Sequence, residues 1–388
     1  MIVNKNALVR RTLVSGLYLI FGVGWIVSVT LGPSYTTNAF EVLFASTGIL
    51  TFSLWRTERH LRIPLLIAIS YMFGSAIYAI YVNETHPLDF ALAFKAFYYV
   101  ILLIPFSGRE IFKPEDISIF NKFILILFFC IYLVKRFFLG DDRPTVLVEN
   151  NFELIFLSLT FYASYLATRR INAVDTVIFI AIVAMSGSRS SAVAAALVLA
   201  FCVDFSRLKA KDILAGIGFG AVALAAIYIF ISRTPSGITE TDRARFFNYF
   251  LSSTESWSFI DFLFGAPRVT PLPEYACAAL SFYQKLFSYS GDGKCYSVIL
   301  HSFNLRVIYD HGIAGALFLY GVIWATLYRR TVRTRICVVL VLLATGMSIS
   351  ALNNVYAVTP IALLAALSST TSTASLAKPL RRPRIGVQ

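Results

Sequence analysis

Long apolar segments alternate with short polar connections along nearly the whole chain. Most of the apolar runs approach 20 residues, the length that an α-helix needs to cross a bilayer. Open sheets cannot span lipid, and the alternating pattern of barrel strands is absent. The pattern therefore predicts an all-α, polytopic helical membrane protein with about 12 transmembrane helices. The predicted spans are 13–32, 38–55, 63–82, 88–106, 119–139, 152–167, 171–187, 190–205, 213–232, 298–327, 336–352 and 357–369.

The tenth segment is too long for one simple span. We expect residues 297–311 to form a helix at or entering the membrane surface. The part that crosses the bilayer should then begin at Gly312. Gly312 and Gly315 would allow this helix to pack closely on a neighbour.

Composition agrees with this class of protein. Of the 388 residues, 57% are hydrophobic and 14% are charged, whereas soluble domains carry about 25% charge. The net charge of +13 raises the question of nucleic acid, but Lys and Arg cluster between the spans, which is a topology signal. We therefore expect no nucleic-acid partner. The first apolar run is too long for a cleavable signal peptide, and no metal-binding spacing is present.

The cations predict the orientation of the spans. If residues 5–11 are cytoplasmic, alternate connections should be cytoplasmic too, and these are rich in Lys and Arg. Lys135 and Arg136, at the other end of the fifth span, are an exception. We expect a single integral membrane domain with both termini in the cytoplasm, a large periplasmic loop over 233–300 with interfacial helices, and a disordered basic tail over 370–388. The predicted cytoplasmic cations are Arg56, Arg59, Arg62, Arg109, Lys113, Arg169, Arg170, Arg207, Lys209, Lys211, Arg329, Arg330, Arg333 and Arg335.

Two of the five cysteines fall in the predicted external loop. Cys277 and Cys295 would lie in an oxidising compartment if the membrane is a bacterial inner membrane. A bridge between them would close a short loop and stabilise the fold by about 3 kcal/mol. We expect this disulfide, and two unpaired thiols are the alternative.

A Ser-Gly-Ser-Arg-Ser-Ser turn carries Arg189 on the predicted outer side. A cation at that place departs from the charge pattern. Guanidinium groups bind phosphate through two parallel hydrogen bonds, and the hydroxyl of Ser188 and the N–H groups of the turn would add donors. We interpret the turn as an anion contact. The alternative is an arginine that merely extends to the membrane interface.

Residues 241–250, Thr-Asp-Arg-Ala-Arg-Phe-Phe-Asn-Tyr-Phe, follow a helical pattern with an aromatic side. This is typical of a helix that lies in the membrane interface. Arg243 and Arg245 are two positions apart and point roughly opposite ways, so only one should reach a given phosphate. A surface helix without a site is the alternative.

The start of the tenth segment holds two histidines. On a helix, His301, Asn304 and His311 share one face, and Arg306 and Asp310 form an i,i+4 pair. A neutral imidazole near the outer surface can act as a general base near pH 7. We expect this role for His301, against the alternative of a structural histidine.

Ionisable residues also occur inside predicted spans. Charge within a membrane is by default a functional hypothesis, but Glu41, Glu153 and Asp175 lie near predicted span ends and can reach water. Lys95 is the deepest, and we expect it to line a cavity that opens outward.

Taken together, the Ser-x-Ser-Arg-Ser turn, the external loop with its arginines, and the run from His301 to the Asp-His-Gly-Ile-Ala-Gly segment resemble the bacterial O-antigen polymerase and ligase superfamily. The resemblance implies a multi-spanning inner-membrane glycosyltransferase of the GT-C type with a periplasmic site. Such an enzyme transfers a glycan from an undecaprenyl-diphosphate carrier to a hydroxyl of an acceptor glycan, with inversion and without a metal or cofactor. By this resemblance Arg189, one or both of Arg243 and Arg245, and His301 would line the site.

The expected chemistry needs cations and a base. A diphosphate leaving group gains negative charge as the glycosidic bond breaks, and preorganised arginines can stabilise that charge. The acceptor hydroxyl needs a base, for which Glu240, Asp242 and Asp310 are substitutes for His301. Further substrate contacts are expected from Ser188, Arg243, Asn304, Arg306, Asp310 and Lys95.

The first functional expectation is a polymerase of exported polysaccharide repeat units. Its partners would be the lipid-linked glycan donor and acceptor, membrane lipid, and a chain-length regulator with other pathway proteins. A ligase that moves finished glycan to a lipid or protein acceptor is the nearest alternative. A lipid-linked oligosaccharide flippase belongs to another class, but a transporter should show inverted repeats and charges along a central path, and here the charge is one-sided.

Overall fold

The computed structural model describes residues 5–203, 216, 217, 220, 224 and 242–368. Most of those residues are helical, and they form no strand beyond an isolated bridge between Phe112 and Leu367, which confirms the all-α class. Helices occupy the predicted spans wherever the structure describes them. Most of the predicted ninth span, the start of the external loop with Glu240, and the basic tail over 370–388 lie outside the described residues.

Fifteen helices are present in the described chain. They are α1 (Lys5–Thr30), α2 (Pro33–Leu54), α3 (Arg59–Ile77), α4 (Pro87–Ala93), α5 (Lys95–Leu103), α6 (Pro114–Leu133), α7 (Asn150–Thr168), α8 (Ala173–Ser186), α9 (Arg189–Cys202), α10 (Asp242–Ser253), α11 (Phe259–Phe264), α12 (Glu274–Ala279), α13 (Phe303–Thr326), α14 (Val332–Gly346) and α15 (Val355–Ala365). The π-helical turns Tyr78–Val82 and Val134–Phe138 extend α3 and α6. Short 3-10 turns cover Ile104–Phe106, Ser281–Leu286, Ser297–Leu300 and Ala351–Asn353.

Four of the described helices are long and apolar enough to cross a membrane. They are α1, α13, and α3 and α6 with their π-helical turns. The pair α4 and α5 is bent by 59° and would add a fifth crossing if it forms one broken span. Helices α8, α9 and α15 are apolar but shorter. These helices suggest a helical membrane protein, and the number of twelve spans stays a prediction.

Two helices form the centre of the bundle. Nearly every side chain of α7 is buried, and every side chain of α15 is buried. A helix that is apolar on all sides belongs in a protein interior. Phe40 of α2 packs edge-on against Phe156 of α7 and Tyr356 of α15, with ring centroids 5.8 and 4.9 Å apart. The side chains on these two helices therefore join the surrounding helices into one core.

The connections gather at two ends of α7, which are about 28 Å apart by helix geometry. At the α7 N-terminal end, the side chain of Asn150 donates to the carbonyl of Ser186, where α8 ends. Near the α7 C-terminal end, Arg109 and Arg169 line one pocket, and Arg109 donates to the carbonyl of Arg56. Two predicted outer connections thus meet at one end, and three predicted cytoplasmic connections meet at the other.

The described part of the external loop has its own small core. Cys277 and Cys295 form a disulfide with their Cα atoms 5.5 Å apart. Phe246 and Phe250 of α10 are buried in the cluster around it. The sequence pattern assigned the aromatic side of this helix to the membrane interface, but these two rings pack on protein, because the disulfide-linked segment presents apolar surface such as Leu280 to them.

Helix α13 changes direction at Gly312, where φ is 69° and ψ is −178°. The predicted division of the tenth segment therefore coincides with a bend, and which part of α13 crosses the bilayer stays a prediction. A Cβ atom at Gly312 would overlap the carbonyl oxygen of Leu263 in α11, and one at Gly265 would overlap the backbone nitrogen of His311. Two glycines with positive φ thus allow α11 to lie directly against the bend in α13.

Candidate functional site

A cleft of about 210 Å³ opens at the α7 N-terminal end, where α10 and the segment before α13 meet α7. Four of its lining residues have ionisable side chains. They are Arg143, Glu149, Arg243 and His301. The other lining residues are Asn151, Phe152, Phe246, Tyr283, Leu300, Ser302, Met347, Ser348, Ile349 and Ser350.

Three helices begin at this cleft. Glu149 precedes the first residue of α7, Arg243 lies in the first turn of α10, and Ser302 is the N-cap of α13. The N-terminus of a helix carries a partial positive charge and free N–H groups, which favour an anion. Helix ends and arginines therefore supply positive potential to the same space.

His301 packs against two aromatic rings at the edge of the cleft, and these rings also contact each other. Its imidazole is 5.3 Å from the ring of Phe246 and 5.2 Å from that of Tyr283, measured between centroids. Its φ of 53° is left-handed, a conformation that is costly for residues other than glycine and that is concentrated at functional sites.

The sequence pattern placed His301 on the same helical face as Asn304, and this prediction is wrong. The hydroxyl of Ser302 accepts a hydrogen bond from the backbone N–H of Leu305, so α13 begins at Phe303. His301 therefore precedes the helix, in the turn that enters the cleft.

The two arginines of α10 have different surroundings. Both side chains are exposed, but Arg243 lines the cleft and Arg245 is not among the residues that line it. Their spacing of two residues turns them to different sides of the helix, as the sequence analysis expected. The geometry favours Arg243, not Arg245, as the arginine at the site.

Arg143 and Glu149 were not identified from the sequence. The Arg143 guanidinium donates to the side-chain oxygen of Asn150 at 3.4 Å, and Glu149 accepts a hydrogen bond from the Asn151 side chain at 2.7 Å. One signal could have found Arg143. It is the single cation in the predicted outer connection over 140–151, and it therefore departs from the charge pattern as Arg189 does.

Glu153 fixes the loop that carries Arg143 and Glu149. The carboxylate is fully buried and accepts backbone N–H groups from Val146, Leu147 and Val148 at 2.6–2.8 Å. Ionised carboxylates bound in this way are strongly stabilising contacts. Glu153, noted in the sequence as a charge within a span, thus positions one wall of the cleft.

The turn with Arg189 lies directly behind the cleft wall. The hydroxyls of Ser188 and Ser190 both donate to the side-chain oxygen of Asn151, which lines the cleft. Ser188 also accepts the N–H of Ser191 as the N-cap of α9, so its buried hydroxyl is used in positioning the turn. Arg189 is half-buried and is not among the lining residues.

Arg306 and Asp310 lie one layer further back. The buried Arg306 guanidinium donates to the hydroxyl of Ser350, a lining residue, at 3.2 Å. Asp310 is also buried and accepts the hydroxyl of Ser297. Both residues therefore support the segments that form the cleft and do not line it.

Asn304 and Lys95 bind other parts of the protein. Asn304 donates to the carbonyl of Leu343 at 3.1 Å and accepts the hydroxyl of Tyr320 at 2.8 Å, which joins α13 to α14. Lys95 forms an ion pair with Glu41 of α2. Lys95 and Glu41 each looked unpaired in the sequence, but they bind one another. Neither residue lines the cleft.

Among the described residues, no group of three or more His, Cys, Asp or Glu side chains could hold a metal ion. No protein-family model matches the chain, and no curated protein sequence matches it. The chemistry of the cleft therefore rests on its own residues. Two guanidinium groups and three helix N-termini suit an anionic group, and an imidazole and a carboxylate beside them can accept a proton.

Proposed function

We propose that the chain is a membrane glycosyltransferase that polymerises undecaprenyl-diphosphate-linked repeat units at the periplasmic face of a bacterial inner membrane. The observation that carries this proposal is the cleft, in which Arg143, Arg243, Glu149 and His301 line one space. These residues come from three separate segments of the chain, around 143–149, 243 and 301, and the fold brings them together. The resemblance to the O-antigen polymerase and ligase superfamily supplies the class of reaction.

The proposed step exchanges one bond for another at the anomeric carbon of the donor sugar. The bond from that carbon to the diphosphate oxygen breaks, and its electron pair leaves with the diphosphate. A hydroxyl oxygen of the acceptor glycan attacks from the opposite side and forms the new glycosidic bond, with inversion. The hydroxyl proton passes to His301.

Arg143 and Arg243 would bind the diphosphate and stabilise the charge that develops on it. Such donors act most strongly in a partly dry site, and removing one typically raises the barrier by about 3–4 kcal/mol. The N-terminal ends of α7, α10 and α13 would add to the positive potential. Arg189 would contribute from behind the wall, through the turn bound to Asn151.

The arrangement of the helix connections supports a single-sided site. Predicted cytoplasmic arginines such as Arg109 and Arg169 meet at the α7 C-terminal end, and the cleft lies at the other end of the same helix. Exposed apolar side chains along α3, among them Leu66 and Phe73, would face lipid. A reporter active only in the periplasm should therefore work when fused near residue 188 and fail near residue 60.

The decisive experiment replaces His301 by Ala in the cell that makes the glycan and examines both the glycan ladder and the lipid-linked pool. We expect normal protein in the membrane, loss of long chains, and accumulation of single lipid-linked repeat units. His60→Ala, at the opposite end of the bundle beside Tyr328, is the matched control and should leave the ladder unchanged.

The same experiment separates the alternatives. Loss of a ligase would leave long lipid-linked chains that are not discharged, and that result would replace the polymerase by the ligase. Loss of a flippase would leave repeat units on the cytoplasmic leaflet. Full-length chains made by His301→Ala at normal protein level would remove His301 from the reaction.

A further inference from the structure

A second charged pocket lies at the α7 C-terminal end, remote from the proposed reaction. Its volume is about 230 Å³. Four arginines from three different connections line it. They are Arg109, Arg169, Arg329 and Arg330, together with Glu110, Leu166, Thr331, Thr334, Leu367 and Ser368.

The pocket is a built feature, because main-chain contacts hold its walls together. The N–H of Ile111 donates to the carbonyl of Ala366 at 2.9 Å, and the N–H of Ser368 donates to that of Phe112 at 2.8 Å. The side chain of Arg330 donates to the carbonyl of Leu367, in the segment after α15. The segment after α5, the segment after α15 and the α13–α14 connection are therefore fixed relative to one another.

The charge in this pocket is not balanced by the described side chains around it. Against four guanidinium groups stand Glu110 in the wall and Glu58, which is 3.9 Å from Arg109. Within residues 5–203 and 242–368, two positive charges are in excess. The Nε atoms of Arg109 and Arg330 are buried and have no hydrogen-bond partner in that part of the chain.

The surroundings of Arg330 show the same imbalance. Burial lowers the pKa of Arg330 to about 10; Glu110 opposes this shift, and Arg169 and Arg329 add to it. The negative charge of a bound anion would offset the repulsion among these guanidinium groups.

Helix α14 also begins at this pocket. Thr331 is its N-cap and lines the wall with Thr334, so N–H groups of the first turn add positive potential. Residues 369–388 contain four Lys and Arg and no Asp or Glu. Their side chains therefore cannot supply the missing negative charge.

We infer that this pocket is a binding site for a phosphate-bearing anion, either the phosphate of a lipid headgroup or a soluble phosphate. Guanidinium groups arranged around one space match the oxygens of a phosphoryl group, and basic pockets between membrane helices bind anionic headgroups. Arginines that only orient a chain in the membrane need no common pocket, whereas these four share one.

The test uses the purified full-length protein in an uncharged detergent. Sodium diphosphate is titrated in one arm and phosphatidylglycerol, against phosphatidylcholine, in the other, at matched ionic strength. The readout is the midpoint of thermal unfolding as a function of ligand concentration. The variant is Arg169→Gln with Arg329→Gln, both exposed, and the control is Arg170→Gln with Arg59→Gln, which removes two exposed charges from residues that do not line this pocket.

We expect a saturable rise in the unfolding midpoint of the unmodified protein and of the control pair. Each lost charge-assisted contact should weaken binding about tenfold, so the Arg169 and Arg329 pair should need a far higher ligand concentration. A response to phosphatidylglycerol alone assigns the site to a lipid headgroup, and a response to diphosphate assigns it to a soluble anion. The inference is overturned if neither ligand shifts the midpoint, or if both pairs of variants lose the response equally. Should the double variant not fold, Arg169→Gln against Arg170→Gln makes the same comparison with one charge.

Discussion

The hydroxyl of Ser188 lies 2.5 Å from the side-chain oxygen of Asn151, and this hydrogen bond connects the turn that carries Arg189 to the wall of the cleft. Ser190 donates to the same oxygen at 3.1 Å. The amide nitrogen of Asn151 in turn donates to Glu149. One buried amide therefore holds the serine turn on one side and a cleft carboxylate on the other.

Replacing Asn151 by Ala should remove its hydrogen bonds to the serine turn and to Glu149. Two buried hydroxyls would lose their acceptor, which we expect to cost about 1–3 kcal/mol of stability, and the Arg189 turn would no longer be fixed behind the cleft. Thermal unfolding of the purified protein and the glycan ladder in cells measure the two effects. Asn248→Ala, exposed on α10, is the control. A variant at Asn151 with normal stability and normal chains would show that this connection is unimportant.

The two arginines of α10 offer a direct comparison, because they are two residues apart and carry the same charge. Arg243 lines the cleft and Arg245 does not. Arg243→Gln should therefore lower polymerisation about a hundredfold or more, as loss of a transition-state donor does, whereas Arg245→Gln should have little effect. Chain synthesis per unit of membrane-inserted protein is the measurement. Equal loss in both variants would mean that only the overall charge of α10 matters.

Glu149 and Glu153 are four residues apart and should differ in what they contribute. Glu149 is half-buried in the cleft wall and accepts one hydrogen bond from Asn151, which the oxygen of a glutamine can also accept. Glu149→Gln should therefore leave the unfolding temperature nearly unchanged and reduce polymerisation. Normal polymerisation in this variant would exclude a role for the carboxylate in the reaction.

Glu153→Gln should instead damage the fold. One carboxylate oxygen accepts the N–H of Val146 and the other accepts those of Leu147 and Val148, so an amide would turn its N–H donors against at least one of these groups. We expect a loss of roughly 3 kcal/mol, seen as a lower unfolding temperature, with activity falling because the loop over 146–148 moves. If Glu153→Gln unfolded at the normal temperature, the buried carboxylate would not be what fixes that loop.

Periodicity and glycine chemistry made part of this fold predictable. The helices follow from apolar runs of suitable length, and the break at Gly312 follows from a segment too long for one span. The start of α13 was missed because a single capping contact, from Ser302 to the N–H of Leu305, decides it. Because of that contact, His301 lies in the turn beside the cleft and not on the predicted helical face.

The site was harder to predict, because its members are brought together by contacts that have no sequence signature. The path of the loop with Arg143 depends on three hydrogen bonds to Glu153. Lys95 forms an ion pair with Glu41 on another helix, and the sequence pattern does not indicate this partner. The positions of the charges along the chain predicted that residues such as Arg189 and Arg243 belong to the site. Only the packing distinguishes a residue that lines the cleft from one that supports its wall.

The bend in α13 can be tested with two glycines of the same helix. Gly312 has a φ of 69°, and a Cβ there would overlap the backbone of Leu263, whereas a Cβ at Gly321 would meet no atom within 4 Å. Gly321→Ala should be neutral or stabilise the helix by up to about 1 kcal/mol. Gly312→Ala should destabilise the protein by about 2 kcal/mol or more, since it combines backbone strain with a steric overlap. Because the first half of α13 carries Arg306 and is capped by Ser302, polymerisation should fall as well. Unfolding temperatures and glycan ladders of the two variants measure this difference, and a Gly312→Ala protein as stable and active as Gly321→Ala would mean that α11 does not need to lie against the bend.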